Sequence, residues 1–343
     1  MTPSALNIRF DDGVDENHRE LVYLYASRIE SKGLTVILSP EHLSHLLQIR
    51  LEDIYAISNA PQHFYREYRA KKKSGGTRKI SAPLPLLLSI QRWVLKNILE
   101  PQVIHPAAKA YLKKSSIKQN ARFHRGQRLL FKSDVRDFFG SISSRWVYSH
   151  FQSLGYSRAV SMVLTAICCK ENALPQGAPT SGYLSNIYMT SFDKAVFSYC
   201  TEQKFRFTRY ADDISISGSG INFSELSAFV NRELRDIDLK MHSGKTRLIR
   251  SHQRQKVTGV VVNEKLGPGR DFIRKLRQEY YYISKYGVEE QSRVSGWNNS
   301  IAYLNNIHGR IAHAIFLTGH DARLLEMKNA LESLLRKSEY IRG

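Results

Sequence analysis

Apolar residues return at helical spacing over residues 17 to 60, with Leu21, Leu24, Tyr25 and Ile29 on one face and Leu43, Leu46, Leu47 and Ile54 on another. The spacing predicts an N-terminal helical region. After Pro61 the pattern changes: HFYREYRAKKKSGGTRKISAP alternates aromatics with charges, runs through Lys71, Lys72 and Lys73, and sets Gly75 beside Gly76. It predicts two strands joined by a basic turn. Helical spacing resumes from Leu86 to Leu99, and a second basic stretch, KKSSIKQNARFHRGQR, leads into apolar Leu129, Leu130 and Phe131, a predicted strand that ends at Asp134. Helices are predicted from Ser144 to Gly155 and from Arg158 to Cys169, and the loop LPQGAPTSG opens a further helix to about Cys200. FRFTRYADDISIS alternates on both sides of Ala211 and Asp212, which predicts a strand, a tight turn and a strand with Asp212 and Asp213 at the tip. Residues 224 to 238 predict a helix, Leu239 to Thr246 a loop entering a strand, and KVTGVVVNEK one β-branched strand. From 266 onward the pattern is mainly helical and rich in Arg, Lys, Tyr and Asn; no internal repeat is visible.

At ~150 residues per domain, 343 residues predict two or three packed units. A hydrophobic share of 42% supports a large core and excludes whole-chain disorder. Charge adds a partner: 51 Lys+Arg against 31 Asp+Glu leave +20, and a chain this basic suits a polyanion, most commonly nucleic acid. Cys168, Cys169 and Cys200 cannot form a disulfide framework and show no CxxC spacing. The N-terminus lacks a basic and an apolar signal region, and no window reaches ~18 uncharged apolar residues. The expectation is a cytoplasmic protein with no membrane partner.

Asp134, Asp212 and Asp213 are the central chemical candidates. Nucleotidyl transfer uses two hard cations about 4 Å apart, one activating the attacking hydroxyl and one bracing the leaving pyrophosphate, and carboxylates on neighbouring strand ends suit Mg²⁺. An ADD triplet alone is an ordinary turn. A strand on each side, a second strand carrying Asp134 and a basic chain around them make it a candidate site for two Mg²⁺ ions.

With these residues in order, the chain resembles a reverse transcriptase from about residue 60 to 265. KSDVRDFFGSI, PQGAPTSGYLSN, YADD, HSGKT and GGTRKI carry the resemblance. It implies Asp134, Asp212, Asp213 and the Val135 backbone carbonyl as metal ligands, Phe139 as the aromatic gate under the sugar, and Gln176 and Gly177 lining template and incoming nucleotide. It also implies Lys245 near the pyrophosphate, and Arg78 with Lys73 gripping triphosphate. On the residues alone, Phe139 reads as gate or as core beside Phe138, Arg78 and Lys73 as grip or as a basic turn, and Lys245 as acid or as a solvated lysine.

Two further patterns are similar to those of retron reverse transcriptases: NARFH, Asn120 to His124, which fits NAxxH, and VTG, Val257 to Gly259. They imply RNA-binding roles for Asn120, His124, Val257, Thr258 and Gly259; a helix-capping Asn120 and a strand with a glycine bulge are the plain alternatives. The implied fold is α+β, a right-hand polymerase: an N-terminal helical region at 1–60, fingers at 61–127, a palm with an antiparallel sheet at 128–265 (helices about 144–170 contributing to the fingers), and a helical thumb at 266–343. The implied activity is RNA-directed DNA polymerisation from dNTPs. A cognate structured noncoding RNA would be copied in part into single-stranded DNA, self-primed from an RNA 2′-hydroxyl, with a host RNase H trimming the template because the last segment is too short for such a domain. Antiphage defence with an effector protein from the same locus is the implied role. The rival readings are an abortive-infection or CRISPR-associated reverse transcriptase, and a noncatalytic RNA-binding scaffold for an effector. YYYISKYG and SGWNNSIAYLNNIHGR offer stacking contacts to an RNA stem, or else Tyr280, Tyr281 and Ile283 are helix core; Trp297 is open between the two.

Overall fold

Ser39, Ser143 and Ser157 each accept a backbone N–H from the third residue of the helix they precede, and Pro40, Pro85 and Pro179 each occupy a first helical position. Helix starts are therefore set locally. In a computed structural model that describes residues 15–71 and 75–340, the elements group into two units, each assembled from separated stretches of chain. One takes in the chain up to Leu112, Val135–Val196 and Val230–His242; the other takes in Lys113–Asp134, Phe197–Phe229 and the chain from Ser243 on.

The first unit holds helices Glu16–Glu30, Pro40–Leu47, Leu51–Asn59, Pro85–Val94, Ser144–Leu154, Arg158–Cys168 and Pro179–Tyr188. They pack around Ile29, Ile54, Leu87, Ile90, Phe151 and Leu164. Strands β1 (Tyr65–Lys71) and β2 (Thr77–Pro83) form an antiparallel hairpin running from Tyr65↔Pro83 to Lys71↔Thr77, as the alternating aromatics predicted. The N-terminal helix turns a different face inward from the one its leucines suggest. Leu21 and Leu24 are 64% and 57% exposed while Ala26 and Ile29 are buried, because the Tyr25 hydroxyl donates to the Ile37 carbonyl at 2.6 Å and fixes the rotation of the helix. The helix expected to run to about Cys200 is two helices, Pro179–Tyr188 and Thr190–Glu202, separated at Met189 (ψ 1°).

The second unit contains a four-stranded antiparallel sheet, order β4-β5-β3-β6, with β3 Leu129–Asp134, β4 Arg206–Tyr210, β5 Asp213–Gly218 and β6 Arg247–Arg250. β5 is central and buried along nearly its whole length. KVTGVVVNEK is not one strand. It folds into a small hairpin of β7 (Lys256–Val257) and β8 (Val260–Val261), with Thr258 at φ 48° and Gly259 at φ 84°. Positive φ at both central residues marks the turn that matches strand twist. Glycine takes it without strain, while a β-branched threonine does not. Helices Arg270–Tyr286, Val288–Val294, Ser300–Thr318 and Ala322–Tyr340 follow, packed around Leu276, Ile283, Leu304, Ile307, Ile311 and Leu331. Ile283 is thus core, whereas Tyr281 is 54% exposed. Val257, Val260, Val262 and Ala121 join Leu130, Ile249 and Leu317 in a further apolar cluster. Among the described residues no helix is long and apolar enough to cross a membrane.

Candidate active site

The acids are placed by strand ends. Asp134 closes β3, Asp213 opens β5, and the two are direct Cα partners. Tyr210 pairs with Asp213 across the β4–β5 hairpin, leaving Ala211 and Asp212 as the turn. Ala211 has φ 56°, a conformation for which glycine is the default and which costs an alanine about 1–2 kcal/mol. A buried contact holds it: Arg209 is fully buried, and its Nη1 donates to the Ala211 carbonyl at 3.0 Å.

Two lysines stand over the carboxylates. Lys132 and Asp213 lie on the same face of adjacent strands, with Lys132 Nζ 3.5 Å from Asp213 Oδ1. Lys245 Nζ is 3.7 Å from Asp134 Oδ2. Lys245 ends a short 3₁₀ turn, Ser243–Lys245, that is tied to β3 by the 2.9 Å bond between the Ser133 and Thr246 hydroxyls. Burial pushes the Asp213 carboxyl above the usual carboxylate range; Lys132 opposes this, and the neighbouring Asp134 adds to it. Crowding of this kind is relieved by a cation.

The oxygen donors of Asp134 and Asp213 fit a hard divalent ion. The three aspartates do not form a preassembled cage, however: among the described residues no group of three or more His, Cys, Asp or Glu side chains is close enough to hold a metal. Asp212 occupies the turn itself, while Asp213 is the first residue of β5. Mg²⁺ is ordinarily held by one or two carboxylates plus substrate phosphates, so the donor set suits an ion that arrives with nucleotide. Val135, the residue after Asp134, is buried and bridges Met241.

In the first unit, Arg78 lies exposed on β2, opposite Ala70. The Gln176 carbonyl accepts the Ser81 amide of the same strand at 2.9 Å. Gly177 has φ 130°, and a Cβ there would lie 2.6 Å from the Ser81 carbonyl, so the loop touches the strand closely enough to require glycine. The loop carrying Gln176 and Gly177 thus packs at Ser81 on the strand that also carries Arg78. Phe138 is the buried ring; Phe139 is half-buried, 5.3 Å from Phe138 and 6.2 Å from Tyr111. Lys73 lies outside the described residues.

Asn120 and His124 are not on a surface. They are 1% and 0% exposed, as Val257 is at 0%, so direct contact of these side chains with RNA is not what their positions support. Nor does Asn120 cap: Ser116 does, with Gln119 completing a capping box. The two retron-like patterns instead meet. Asn120 Nδ2 donates to Thr258 Oγ1 at 3.5 Å. His124 spans the β4–β5 hairpin, Nε2 against Thr208 Oγ1 on β4 and Nδ1 against Ser217 Oγ on β5, both at 2.7 Å. Gly259 alone of the VTG triplet is exposed, with open space around it. Lys132 and Arg209 escaped the sequence reading because a cation in a strand of a basic chain carries no signature of its own.

A hairpin bearing two aspartates against a third on the neighbouring strand of an antiparallel sheet is the arrangement of a nucleic-acid polymerase palm. Residues 70–262 match the family model described as reverse transcriptase (RNA-dependent DNA polymerase). Retron Ec86 reverse transcriptase of Escherichia coli is 33% identical over 279 residues, covering 80% of this chain and 87% of that protein. Retron Ec83 reverse transcriptase, also of E. coli, is 30% identical over 309 residues, covering 84% and 94%. Retron Mx162 reverse transcriptase of Myxococcus xanthus is 30% identical over 309 residues, covering 78% of this chain and 62% of its own length. The chain belongs to the reverse transcriptases and, among them, to the bacterial retron enzymes: it is an RNA-directed DNA polymerase.

Proposed function

We propose that this enzyme binds a cognate structured noncoding RNA and copies part of it into single-stranded DNA, self-primed from an RNA 2′-hydroxyl so that the product is a branched RNA–DNA. The observation that carries the reading is the junction of the two retron-like patterns at Asn120 and Thr258, directly coupled through His124 to the strands of the YADD hairpin. The buried Asn120, His124 and Val257 and the half-buried Thr258 serve RNA binding by shaping the hairpin, and Gly259 offers backbone at its open tip.

Asp134, Asp212 and Asp213, with the Val135 carbonyl, would hold two Mg²⁺ ions, which when bound supply activation of the attacking hydroxyl and charge neutralisation at the leaving pyrophosphate. Lys245 Nζ donates a proton to a pyrophosphate oxygen as it leaves. Arg78 and Lys73 hold triphosphate oxygens, and Gln176 and Gly177 position template and nucleotide. Phe139 excludes a ribonucleotide by occupying the space of its 2′-hydroxyl. The product DNA is trimmed of template by a host RNase H, and the RNA–DNA serves antiphage defence with an effector from the same locus, in the cytoplasm. Sequencing the nucleic acid that copurifies with the protein tests this. One RNA species joined through a 2′ linkage to DNA copied from it is expected; heterogeneous RNA with no DNA would refute the reading.

A further inference from the structure

The C-terminal helices line an open pocket of about 350 Å³ that polymerase chemistry does not use. It lies at the lower end of the size range of ligand pockets, with room for roughly one nucleotide. Its inner wall is fixed. Tyr303 is 2% exposed, its ring is 6.0 Å from Trp297, and its hydroxyl accepts from Ser295 Oγ at 3.3 Å. Gln291, 9% exposed, donates from Nε2 to the same Ser295 oxygen at 3.2 Å. The mouth is aromatic, because Trp297 stays 38% exposed. Charge at the pocket favours an anion: Lys275 and Arg310 share one carboxylate, Glu279, at 3.9 and 2.6 Å.

A separate feature leads to the same place. Tyr282, which lines the cavity, is the middle ring of an aromatic series on the Arg270–Tyr286 helix, 5.7 Å from Tyr281 and 6.1 Å from Tyr286. Tyr281 and Tyr286 are each 54% exposed, and Lys285 Nζ lies 5.9 and 5.1 Å from their ring centres. Open rings interleaved with a cation form a platform for successive bases of a single strand. A planar wall, amide groups that can read a base edge and an anion-favouring rim are what an unstacked RNA base requires.

We propose that the cavity holds one nucleobase extruded from a single-stranded segment of bound RNA, stacked on Trp297 with its edge read by Gln291 and Asn306. The inference rests on RNA binding by this enzyme and adds a base-reading site remote from the aspartates in sequence. The probe is a labelled decaribonucleotide of random sequence, compared by fluorescence anisotropy with an abasic strand carrying the same phosphates. The wild type should prefer the base-bearing strand, and Trp297→Ala should reduce that preference about tenfold, the range of one lost base–aromatic stack. Trp297→Phe should retain most of it, and Asn306→Ala should change which sequences are selected from the random pool. Extension of a pre-annealed primer by all three should be unchanged at saturating template. If the wild type prefers bases and Trp297→Ala and Asn306→Ala leave both preference and selection intact, the pocket assignment is overturned. If the wild type binds no RNA at all, the underlying reading fails and this one with it.

Discussion

His124→Ala should disable the enzyme on every template, not only on its cognate RNA. The imidazole spans the two strands that carry the YADD turn, at 2.7 Å to each of Thr208 and Ser217, whose side chains are 1% and 0% exposed. Removing it strands two buried hydroxyls at about 1–3 kcal/mol each, so the cost is about 2–6 kcal/mol, concentrated on the hairpin. A pH signature accompanies the loss. Burial pushes the His124 pKa from 6.5 down to about 3, with Arg206 and Lys132 adding to the shift. The unfolded chain takes up this proton near pH 6.5 and the folded chain does not until about 3, so stability is intact above 6.5 and falls by about 1.4 kcal/mol per pH unit below it. At about pH 5 the wild type has lost ~2 kcal/mol on this account. His150, pushed down to about 4, adds a separate loss that both proteins share. Urea unfolding at about pH 8 and pH 5, beside primer extension and cognate-RNA synthesis in one preparation, reads all of it. The variant should be less stable at pH 8, lose less on acidification, and lose both syntheses together. Unaltered stability with loss of cognate synthesis alone would refute this role and return His124 to direct RNA recognition.

Phe139→Ala should raise the ratio of rNTP to dNTP incorporation on one template, since the half-buried ring and not Phe138 has an open face; an unchanged ratio would make Phe139 core. Arg209→Met should lower the single-nucleotide extension rate at saturating dNTP by releasing the Ala211 turn, and adding Ala211→Gly should recover part of it, because glycine adopts positive φ without strain. No recovery would mean that Arg209 acts through other contacts. RNA affinity should fall steeply with salt, as expected when many of the cations behind a +20 charge neutralise phosphates; a flat log–log plot would contradict this.

The YADD hairpin was legible in the sequence because period-two strands flanking ADD and an apolar strand ending in Asp134 are local signals. The contacts that tune it were not. Lys132 reaches Asp213 only through the antiparallel register that sets Asp134 against Asp213, and Arg209 is buried by what packs on β4, so neither role exists before the sheet does. The same limit explains His124 and Asn120, whose partners are 84 to 138 residues distant in the chain. In KVTGVVVNEK, β-branched residues masked a turn that Thr258 adopts against its preference. At Met189 a helix ends with neither proline nor glycine to announce it, and at Leu21 and Leu24 a correct helix carries a misleading apolar face.

The central claim is that Asp134, Asp212 and Asp213 form the site of RNA-directed DNA synthesis. The most direct measurement is extension of a DNA primer annealed to an RNA template with dNTPs and Mg²⁺, by the wild type and by Asp134→Asn, Asp212→Asn and Asp213→Asn, with RNA binding measured on the same samples. A carboxamide cannot replace an anionic Mg²⁺ ligand, so each variant should fall to background extension while binding RNA as the wild type does. Undiminished extension by any one of them would contradict the assignment of that aspartate.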